Sequence, residues 1–80
     1  MRVKILVSLK GGVLDPQGKA IEGSLHALGC AEVQNVRMGK YLELDVEASS
    51  REAAESRIRE MCEKLLANPV IEDYRFEIEG

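Results

Sequence analysis

Aromatic residues are scarce in this sequence of 80 residues, which contains no tryptophan, one phenylalanine and two tyrosines. So few aromatic side chains exclude the stacking platform that sheet-type RNA-binding domains require. The net charge of −3 also argues against a nucleic-acid partner. No apolar run approaches the roughly 20 residues that span a bilayer. We therefore expect an acidic protein that binds neither nucleic acid nor membrane.

Cysteine and histidine are also scarce, with two cysteines and one histidine in the sequence. Cys30 and Cys62 form no paired metal-ligand spacing, and His26 alone cannot complete a zinc site. Because the strand pattern begins at Arg2, we expect no secretory signal, and hence a cytoplasmic protein with reduced thiols. The residues leave a single disulfide open. The chain is interpreted as one domain over residues 1–80, so small that oligomerisation is the expected stabiliser.

Hydrophobic periodicity predicts four strands and two helices in the order β-α-β-β-α-β. The strands are expected over residues 2–9, 31–38, 41–48 and 70–79. The first helix begins at Asp15 and ends near Gly29, and the second, capped by Ser49, ends at Asn68-Pro69. This order is typical of a ferredoxin-like α+β fold, a four-stranded antiparallel sheet with both helices on one face.

Each helix is predicted to bury one apolar stripe against that sheet. The stripes are Ala20, Ile21, Ser24, Leu25 and Leu28 in the first helix, and Ala54, Ile58, Met61, Cys62 and Leu65 in the second. Cys62 is interpreted as a small core residue. His26 lies off the first stripe, which predicts an exposed surface histidine.

The stretch Asp15-Pro16-Gln17-Gly18 lies where the first strand leads into the first helix. Asp15 suits the N-cap, whose carboxylate accepts from first-turn amides, and Pro16 suits the first helical position. Gly18 is unusual, because glycine inside a helix costs roughly 1 kcal/mol relative to alanine. The residues leave two interpretations open: a plain helix start with a tolerated glycine, or a close backbone approach to a neighbouring element or a partner.

A hairpin at Gly39-Lys40 is predicted to join the second and third strands. A two-residue turn would point Arg37 at the core, whereas an odd-numbered loop would place Val36 inward and turn Arg37 outward. The hydrophobic pattern favours the second arrangement. The turn length and the hydrophobic pattern thus disagree beside an arginine. Two interpretations remain open: Arg37 is a functional side chain, or the segment is a simple bulged hairpin.

The sheet face that the helices do not cover is expected to carry alternate residues of the first and third strands. These are Arg2, Lys4, Leu6 and Ser8, beside Tyr41, Glu43, Asp45 and Glu47. The cations can pair with the acidic row, leaving Leu6 and Tyr41 as a small apolar patch. A solvated, salt-bridged face and a protein-binding face are both open. The need for a stabiliser favours the second, with Leu6 and Tyr41 as the dimer face.

No catalytic apparatus is recognisable in the sequence. The one histidine belongs to no triad, and Gly11-Gly12 lacks the frame of a phosphate-binding loop. A small acyl-phosphate hydrolase would need an arginine near the first loop, where Lys10-Gly11-Gly12 stands. The residues themselves leave an interaction subunit and a regulatory ligand-binding module open.

Four motifs in register carry a resemblance to a known family. They are Asp15-Pro16-Gln17-Gly18, Leu25 with Leu28-Gly29, Val36-Arg37 with Gly39-Lys40, and the run from Lys64 to Glu72. Over essentially its whole length the sequence resembles PurS, the small subunit of phosphoribosylformylglycinamidine synthase. Cys30 departs from the aromatic residue expected in many relatives, a difference that affects packing.

The resemblance implies a non-catalytic subunit that forms dimers or higher homo-oligomers. PurS-like subunits join a synthetase subunit (PurL) to a glutaminase subunit (PurQ), so that ammonia passes between the two sites. The assembly converts formylglycinamide ribonucleotide to formylglycinamidine ribonucleotide in purine biosynthesis. No cofactor is implied in this chain, since ATP and magnesium are used by the synthetase subunit.

The same resemblance implies which residues contact the partner subunits. They are Asp15, Gln17, Gly18, Arg37, Gly39 and Lys40. Arg37 and Lys40 are the side chains best suited to meet a carboxylate or phosphate. The alternative function is a free-standing regulatory dimer that binds a small ligand.

Overall fold

The computed structural model describes residues 1–79, which form a three-stranded antiparallel sheet and two helices. The elements are β1 (Arg2–Leu9), α1 (Pro16–Ala27), β2 (Gly39–Asp45), α2 (Arg51–Met61) with a π-helical turn (Cys62–Leu66), and β3 (Glu72–Glu79). The strand order is β2-β1-β3, with β1 at the centre. The α+β class is therefore confirmed, but the predicted four-stranded sheet is wrong.

The strand predicted over residues 31–38 does not form in the described chain. Its backbone amides donate to side chains of the α1 region instead of to a sheet: Val36 N–H to Glu22, and Met38 N–H to Asp15. Asn35 has a φ of +57°, a left-handed conformation that interrupts an extended strand. The predicted hairpin at Gly39-Lys40 is accordingly wrong, because β2 begins at Gly39 with no preceding strand to pair with.

The hydrophobic core lies between the sheet and α2. Val3, Ile5 and Val7 of β1 are buried on one sheet face, as their alternation predicts, and Ile58 and Cys62 pack against them. This face is called the inner face. Cys62 is fully buried as a free thiol, which confirms its interpretation as a core residue. Burial in this apolar environment raises the pKa of the Cys62 thiol.

Helix α1 does not pack on the sheet, so the prediction of two helices on one sheet face is wrong for α1. None of its side chains belongs to the core of the described residues, and Leu28, just past its end, is 78% exposed. The molecule is elongated, 51 × 26 × 14 Å, with a radius of gyration of 16.1 Å. A compact chain of this length would have about 12 Å.

Helix α2 differs from its prediction at both ends. Its N-cap is Ser50, whose hydroxyl accepts from the Ala53 N–H at 3.1 Å, instead of Ser49. At the other end, the Ala67 N–H donates to the Cys62 carbonyl in a π-helical bond of 2.8 Å. The wider turn rotates Leu65 out of the predicted buried stripe, and the side chain of Leu65 is 81% exposed.

Replacement of Ile58 tests the position of the core. We expect Ile58→Ala to lower the free energy of unfolding by about 2–5 kcal/mol, because the side chain is fully buried and leaves a cavity. Val70→Ala is the control, since Val70 is 80% exposed and its truncation should change stability by about 0.5 kcal/mol or less. Urea denaturation measures both. Equal losses in the two variants would contradict this core.

Candidate interaction site

The carboxylate of Asp15 connects the start of α1 to the segment that precedes β2. One oxygen accepts from the Gly18 N–H at 2.8 Å, which confirms the predicted N-cap, and the other accepts from the Met38 N–H at 2.7 Å. The side chain is 4% exposed. We call this arrangement, residues 15–18 with residues 36–38, the Asp15 junction.

The surroundings of Asp15 stabilise its ionised form. The backbone hydrogen bonds from Gly18 and Met38, with the nearby charge of Arg37, lower the pKa of the Asp15 carboxyl below its ordinary value of 3.8. Burial acts in the opposite direction and is outweighed. Asp15 is therefore a fixed negative charge that organises backbone amides, and it has no suitable pKa for proton transfer near neutral pH.

Gly18 is buried where α1 crosses the segment before β2. A Cβ atom at this position would overlap the carbonyl oxygen of Val36, so only glycine lets the two backbones approach. Of the two interpretations left open by the sequence, the structure shows the close approach, and the neighbour is the chain's own backbone. Gln17, beside it, is exposed.

Arg37 is exposed and Val36 is half-buried. Both lie outside any strand, so neither of the two predicted hairpin registers applies to them. One guanidinium nitrogen donates to the Lys10 carbonyl at 3.1 Å, and Nε lies 4.0 Å from the Asp15 carboxylate. The side chain of Arg37 is 41% exposed. The arginine therefore ties the end of β1 to the Asp15 junction and still presents part of its guanidinium to solvent.

Lys40 lies on β2, opposite Val7 of β1. Its ammonium donates to the Leu66 carbonyl at 3.1 Å, at the end of the π-helical turn, and lies 3.9 Å from the Glu72 carboxylate. The side chain remains 56% exposed. Gly39, which precedes it, pairs with Ser8, and a side chain at Gly39 would press on the β1 backbone.

The six predicted contact residues lie on two segments, residues 15–18 and 37–40, that the Asp15–Met38 hydrogen bond joins, and they have two roles. Asp15, Gly18 and Gly39 are structural, because their contacts hold the chain together. Gln17, Arg37 and Lys40 present side chains to solvent. Sequence analysis missed the groups these residues bind, since most are backbone atoms and carry no residue-type signal.

Leu6 and Tyr41, the predicted dimer face, lie directly opposite each other on the sheet face away from α2, which we call the outer face. They are 40% and 55% exposed. An open depression of about 570 Å³ lies beside them, between the starts of β2 and β3. The prediction that these two side chains form an exposed apolar pair on one face is confirmed, whereas its use in dimerisation stays a prediction.

The other half of the outer face carries ion pairs between side chains of neighbouring strands. Arg2 lies 3.1 Å from Glu43 and 3.5 Å from Asp45, and Lys4 lies 2.8 Å from Glu79. These pairs are solvent-exposed and therefore contribute little individually to stability. This part of the face is the solvated, salt-bridged surface that the alternation allows.

The described residues contain no assembled reaction centre. His26 is exposed, as predicted, and its Nε2 lies 2.7 Å from the Val33 carbonyl oxygen instead of near a nucleophile. In residues 1–79, no three histidine, cysteine, aspartate or glutamate side chains converge as metal ligands. The helices of this region are also too short or too polar to cross a membrane.

Fold and surface together define a class of protein: a small, elongated α+β protein whose described residues expose apolar and charged side chains and assemble no reaction centre. The family is shown by comparison with known proteins. A model of the family "PurS: Phosphoribosylformylglycinamidine (FGAM) synthase" matches residues 2–80. The chain belongs to the PurS family.

Individual relatives agree with this assignment. The chain is 58% identical over 78 residues to phosphoribosylformylglycinamidine synthase subunit PurS of Bacillus subtilis, covering 98% of this chain and 92% of that protein. A crystal structure of B. subtilis PurS superposes with a TM-score of 0.90, at 57% identity over 99% of this chain and 98% of that one. A chain in the structure of PurLQS from Thermotoga maritima gives a TM-score of 0.83, at 35% identity over 96% of both chains.

Two glycines of α1 provide a matched test of the Asp15 junction. We expect Gly23→Ala to raise the free energy of unfolding by about 0.5–1 kcal/mol, because Gly23 has open space around it and alanine favours a helix. Gly18→Ala should lower it by about 1–3 kcal/mol, since the added methyl overlaps the Val36 carbonyl. Urea denaturation of both variants measures the difference. Stabilisation by Gly18→Ala would exclude the close approach.

The depressed pKa of Asp15 predicts how stability depends on pH. Because the folded-state pKa lies below 3.8, the ionised carboxylate stabilises the fold above that pH, and its contribution is lost as the pH falls further through the folded-state pKa. Asp15→Asn should be less stable than the parent at pH 7, since the two backbone N–H groups bind two different carboxylate oxygens, and asparagine replaces one of these with an NH2 donor. The difference should shrink below pH 3.8.

Denaturation measured from pH 7 down to pH 2 tests this expectation. Asp45→Asn is the control, because Asp45 is 77% exposed and pairs with Arg2 at the surface. If the free energies of unfolding of the parent and Asp15→Asn differ by the same amount over the whole pH range, the charge of Asp15 does not stabilise the fold.

Proposed function

We propose that this chain is the assembly subunit of a phosphoribosylformylglycinamidine synthase. It joins a PurL-type synthetase subunit to a PurQ-type glutaminase subunit in the cytoplasm. The complex carries out the ATP- and glutamine-dependent conversion of formylglycinamide ribonucleotide to formylglycinamidine ribonucleotide in de novo purine biosynthesis. ATP and magnesium belong to the synthetase subunit, and this chain contributes no catalytic residue of its own.

One observation carries this proposal most directly. The chain matches, over 96% of both lengths, a chain of the Thermotoga maritima structure named PurLQS. Membership of the PurS family and full-length similarity to B. subtilis PurS add to this support. These matches favour an assembly subunit over a free-standing ligand-binding regulator.

The contact with the partner subunits is proposed to centre on Arg37 and Lys40, with Gln17 at its edge. Both cations are anchored by backbone carbonyls, Arg37 on Lys10 and Lys40 on Leu66, yet their side chains remain 41% and 56% exposed. An anchored cation loses less rotamer entropy on binding than a free one. A carboxylate of the partner is the complementary group.

Asp15, Gly18 and Gly39 contribute to this surface indirectly. They set the path of residues 36–40, so that the side chains of Arg37 and Lys40 leave the backbone at fixed points. We assign these three residues to positioning the contact surface. Their own atoms face the chain itself.

The subunit is proposed to act as a homodimer or a higher homo-oligomer, with Leu6 and Tyr41 as the dimer face. A domain of this size has a small core, and only nine apolar residues of the described chain are buried. Two copies that cover Leu6 and Tyr41 would add apolar burial that the single chain lacks.

Reconstitution with purified synthetase and glutaminase subunits tests the assembly role. We expect Arg37→Ala and Lys40→Ala each to weaken assembly about 10- to 100-fold, which corresponds to loss of one charge-assisted hydrogen bond. Titration of the chain into the two partners, followed by glutamine-dependent product formation, measures this.

Arg57→Ala is the matched control. Arg57 is an exposed arginine whose contact is to Glu60 on its own helix, so its removal should leave assembly unchanged. If glutamine-dependent synthesis is the same with and without this chain, the proposed function is wrong. If synthesis depends on this chain but Arg37→Ala and Lys40→Ala assemble as well as the parent, the function stands and the contact surface lies elsewhere.

A further inference from the structure

An open depression on the outer face has the size and the mixed lining of a small-molecule site. We call it the outer depression. It encloses about 570 Å³, within the range of roughly 300–1,000 Å³ that ligand pockets occupy. Apolar, aromatic and charged groups meet around this one volume. The outer-face residues that line it are Leu6, Ser8, Gly39, Tyr41, Asp73 and Arg75.

The strand register fixes how these residues are arranged. Leu6 lies on the central strand between Tyr41 of β2 and Arg75 of β3, and these three form one row across the sheet. The next row on the same face has Ser8 at its centre. Adjacent strands are about 4.8 Å apart, and same-face residues repeat every ~6.6 Å along a strand. The two rows therefore cover roughly 10 × 7 Å, enough for a small aromatic ring system with one substituent.

The second row leaves the floor of the outer depression open, because Gly39 stands opposite Ser8 and has no side chain. The backbone enforces this gap, since a Cβ atom at Gly39 would lie 2.6 Å from the Val7 carbonyl oxygen. Ser8 is exposed beside the gap, and Leu6, 40% exposed, supplies an apolar surface in the neighbouring row. The opening is therefore set by the backbone, not by the rotamer of a mobile side chain.

Arg75 is a cation of the outer face without an acidic partner in the described chain. Three neighbouring cations, Arg2, Lys4 and Lys10, lie 3.1, 2.8 and 3.1 Å from carboxylate oxygens. One of these pairs occupies Asp73, two residues before Arg75. Arg75 itself is exposed and forms no ion pair or side-chain hydrogen bond with any other residue of 1–79. An unpaired guanidinium beside an apolar surface is suited to bind a carboxylate or a phosphate through two parallel N–H donors.

Tyr41 forms an aromatic wall on the opposite side of the outer depression. Its hydroxyl donates to the Glu43 carboxylate at 3.0 Å, which fixes the ring although the residue is 55% exposed. A fixed, exposed ring offers its face or its edge to a second flat ring. The carboxylate of Asp73, held by Lys10 at 3.1 Å, is a fixed hydrogen-bond acceptor at the far corner. The outer depression therefore offers a surface for a ring, a cation for an acid group and an acceptor for a hydroxyl or amino group.

We propose that the outer depression binds a small molecule in which a planar ring carries an anionic group. The ring lies on Leu6 against Tyr41, and the anionic group, a carboxylate or a phosphate, meets Arg75. The guanidinium supplies the charge complementarity for this ligand, in a chain whose net charge of −3 otherwise disfavours anions.

This site goes beyond the assembly role, which needs no small molecule bound to this chain. Leu6 and Tyr41 also form the proposed dimer face, so the ligand and a second copy would compete for these two side chains. Binding of the ligand would then shift the homo-oligomer equilibrium by mass action.

Calorimetric titration of the full-length chain with four probes tests the site. Adenosine monophosphate carries a ring and a phosphate, and benzoate carries a ring and a carboxylate. Adenosine has a ring without an acid group, and inorganic phosphate has an acid group without a ring. We expect saturable binding of at least one ring-bearing anion with a dissociation constant of about 0.01–1 mM, and at least ~10-fold weaker binding of adenosine and inorganic phosphate. The tighter of the two ring-bearing anions identifies the acid group that Arg75 prefers.

Two substitutions separate the contributions of charge and ring. Arg75→Gln should weaken binding of the ring-bearing anion about 10- to 100-fold and leave adenosine unchanged, because it removes a charge-assisted contact. Tyr41→Leu should weaken binding of the anion and of adenosine alike by about 3- to 10-fold, since it removes the ring and keeps an apolar side chain. Arg57→Gln is the matched control, because this exposed arginine of α2 pairs with Glu60 and its loss should leave the affinity at the parent value. Circular dichroism verifies that each variant keeps the parent fold.

Four results would overturn the site. They are no saturable binding of either ring-bearing anion at millimolar concentration, equal affinities for these anions and inorganic phosphate, parent affinity in Arg75→Gln, and an equal loss of affinity in Arg57→Gln and Arg75→Gln. The last result would show that binding follows overall charge. None of the titrations includes the synthetase or the glutaminase. Absence of binding would therefore leave the proposed assembly function standing.

Discussion

The carboxylate of Asp15 joins two parts of the chain that no sheet pairing connects. By accepting from Gly18 at the start of α1 and from Met38 before β2, it fixes the helix against residues 36–38. Three other features depend on this: the glycine at position 18, the outward path of Arg37, and the displacement of α1 from the sheet. Together with Glu22, which accepts from the Val36 N–H, this carboxylate holds α1 beside residues 36–38.

The sequence predicted the parts of the fold that depend on local periodicity. β1, β3 and the buried residues of α2 follow their patterns, since Val3, Ile5, Val7 and Ile58 repeat at strand or helix spacing. The missing strand could not be anticipated in the same way. Residues 31–38 contain apolar residues suited to a strand, but a distant carboxylate satisfies the Met38 amide first, and such long-range competition leaves no periodic signal.

The features of the candidate site also divide into those with a local sequence signal and those without one. Asp15 and Gly18 were recognisable because N-caps and misplaced glycines are local features with a known physical cost. The anchoring of Arg37 on the Lys10 carbonyl, and of Lys40 on the Leu66 carbonyl, involves acceptors that every residue possesses. The rotation of Leu65 depends on one wider helical turn, and nothing in the spacing of Met61, Cys62 and Leu65 distinguishes that turn from an α-helix.

An elongated subunit with a small core is a consistent design for a protein that joins others. Its apolar residues are divided among three places: the core under α2, the outer face around Leu6 and Tyr41, and the surfaces exposed on α1 and beside Leu65. A compact four-stranded fold would bury the apolar surfaces of α1 and Leu65 within one chain. Less apolar surface would then be available for contacts with other chains. Because the Asp15 junction holds α1 away from the sheet, its apolar side chains stay exposed in the single chain. In the proposed assembly, contacts between chains would bury such surface.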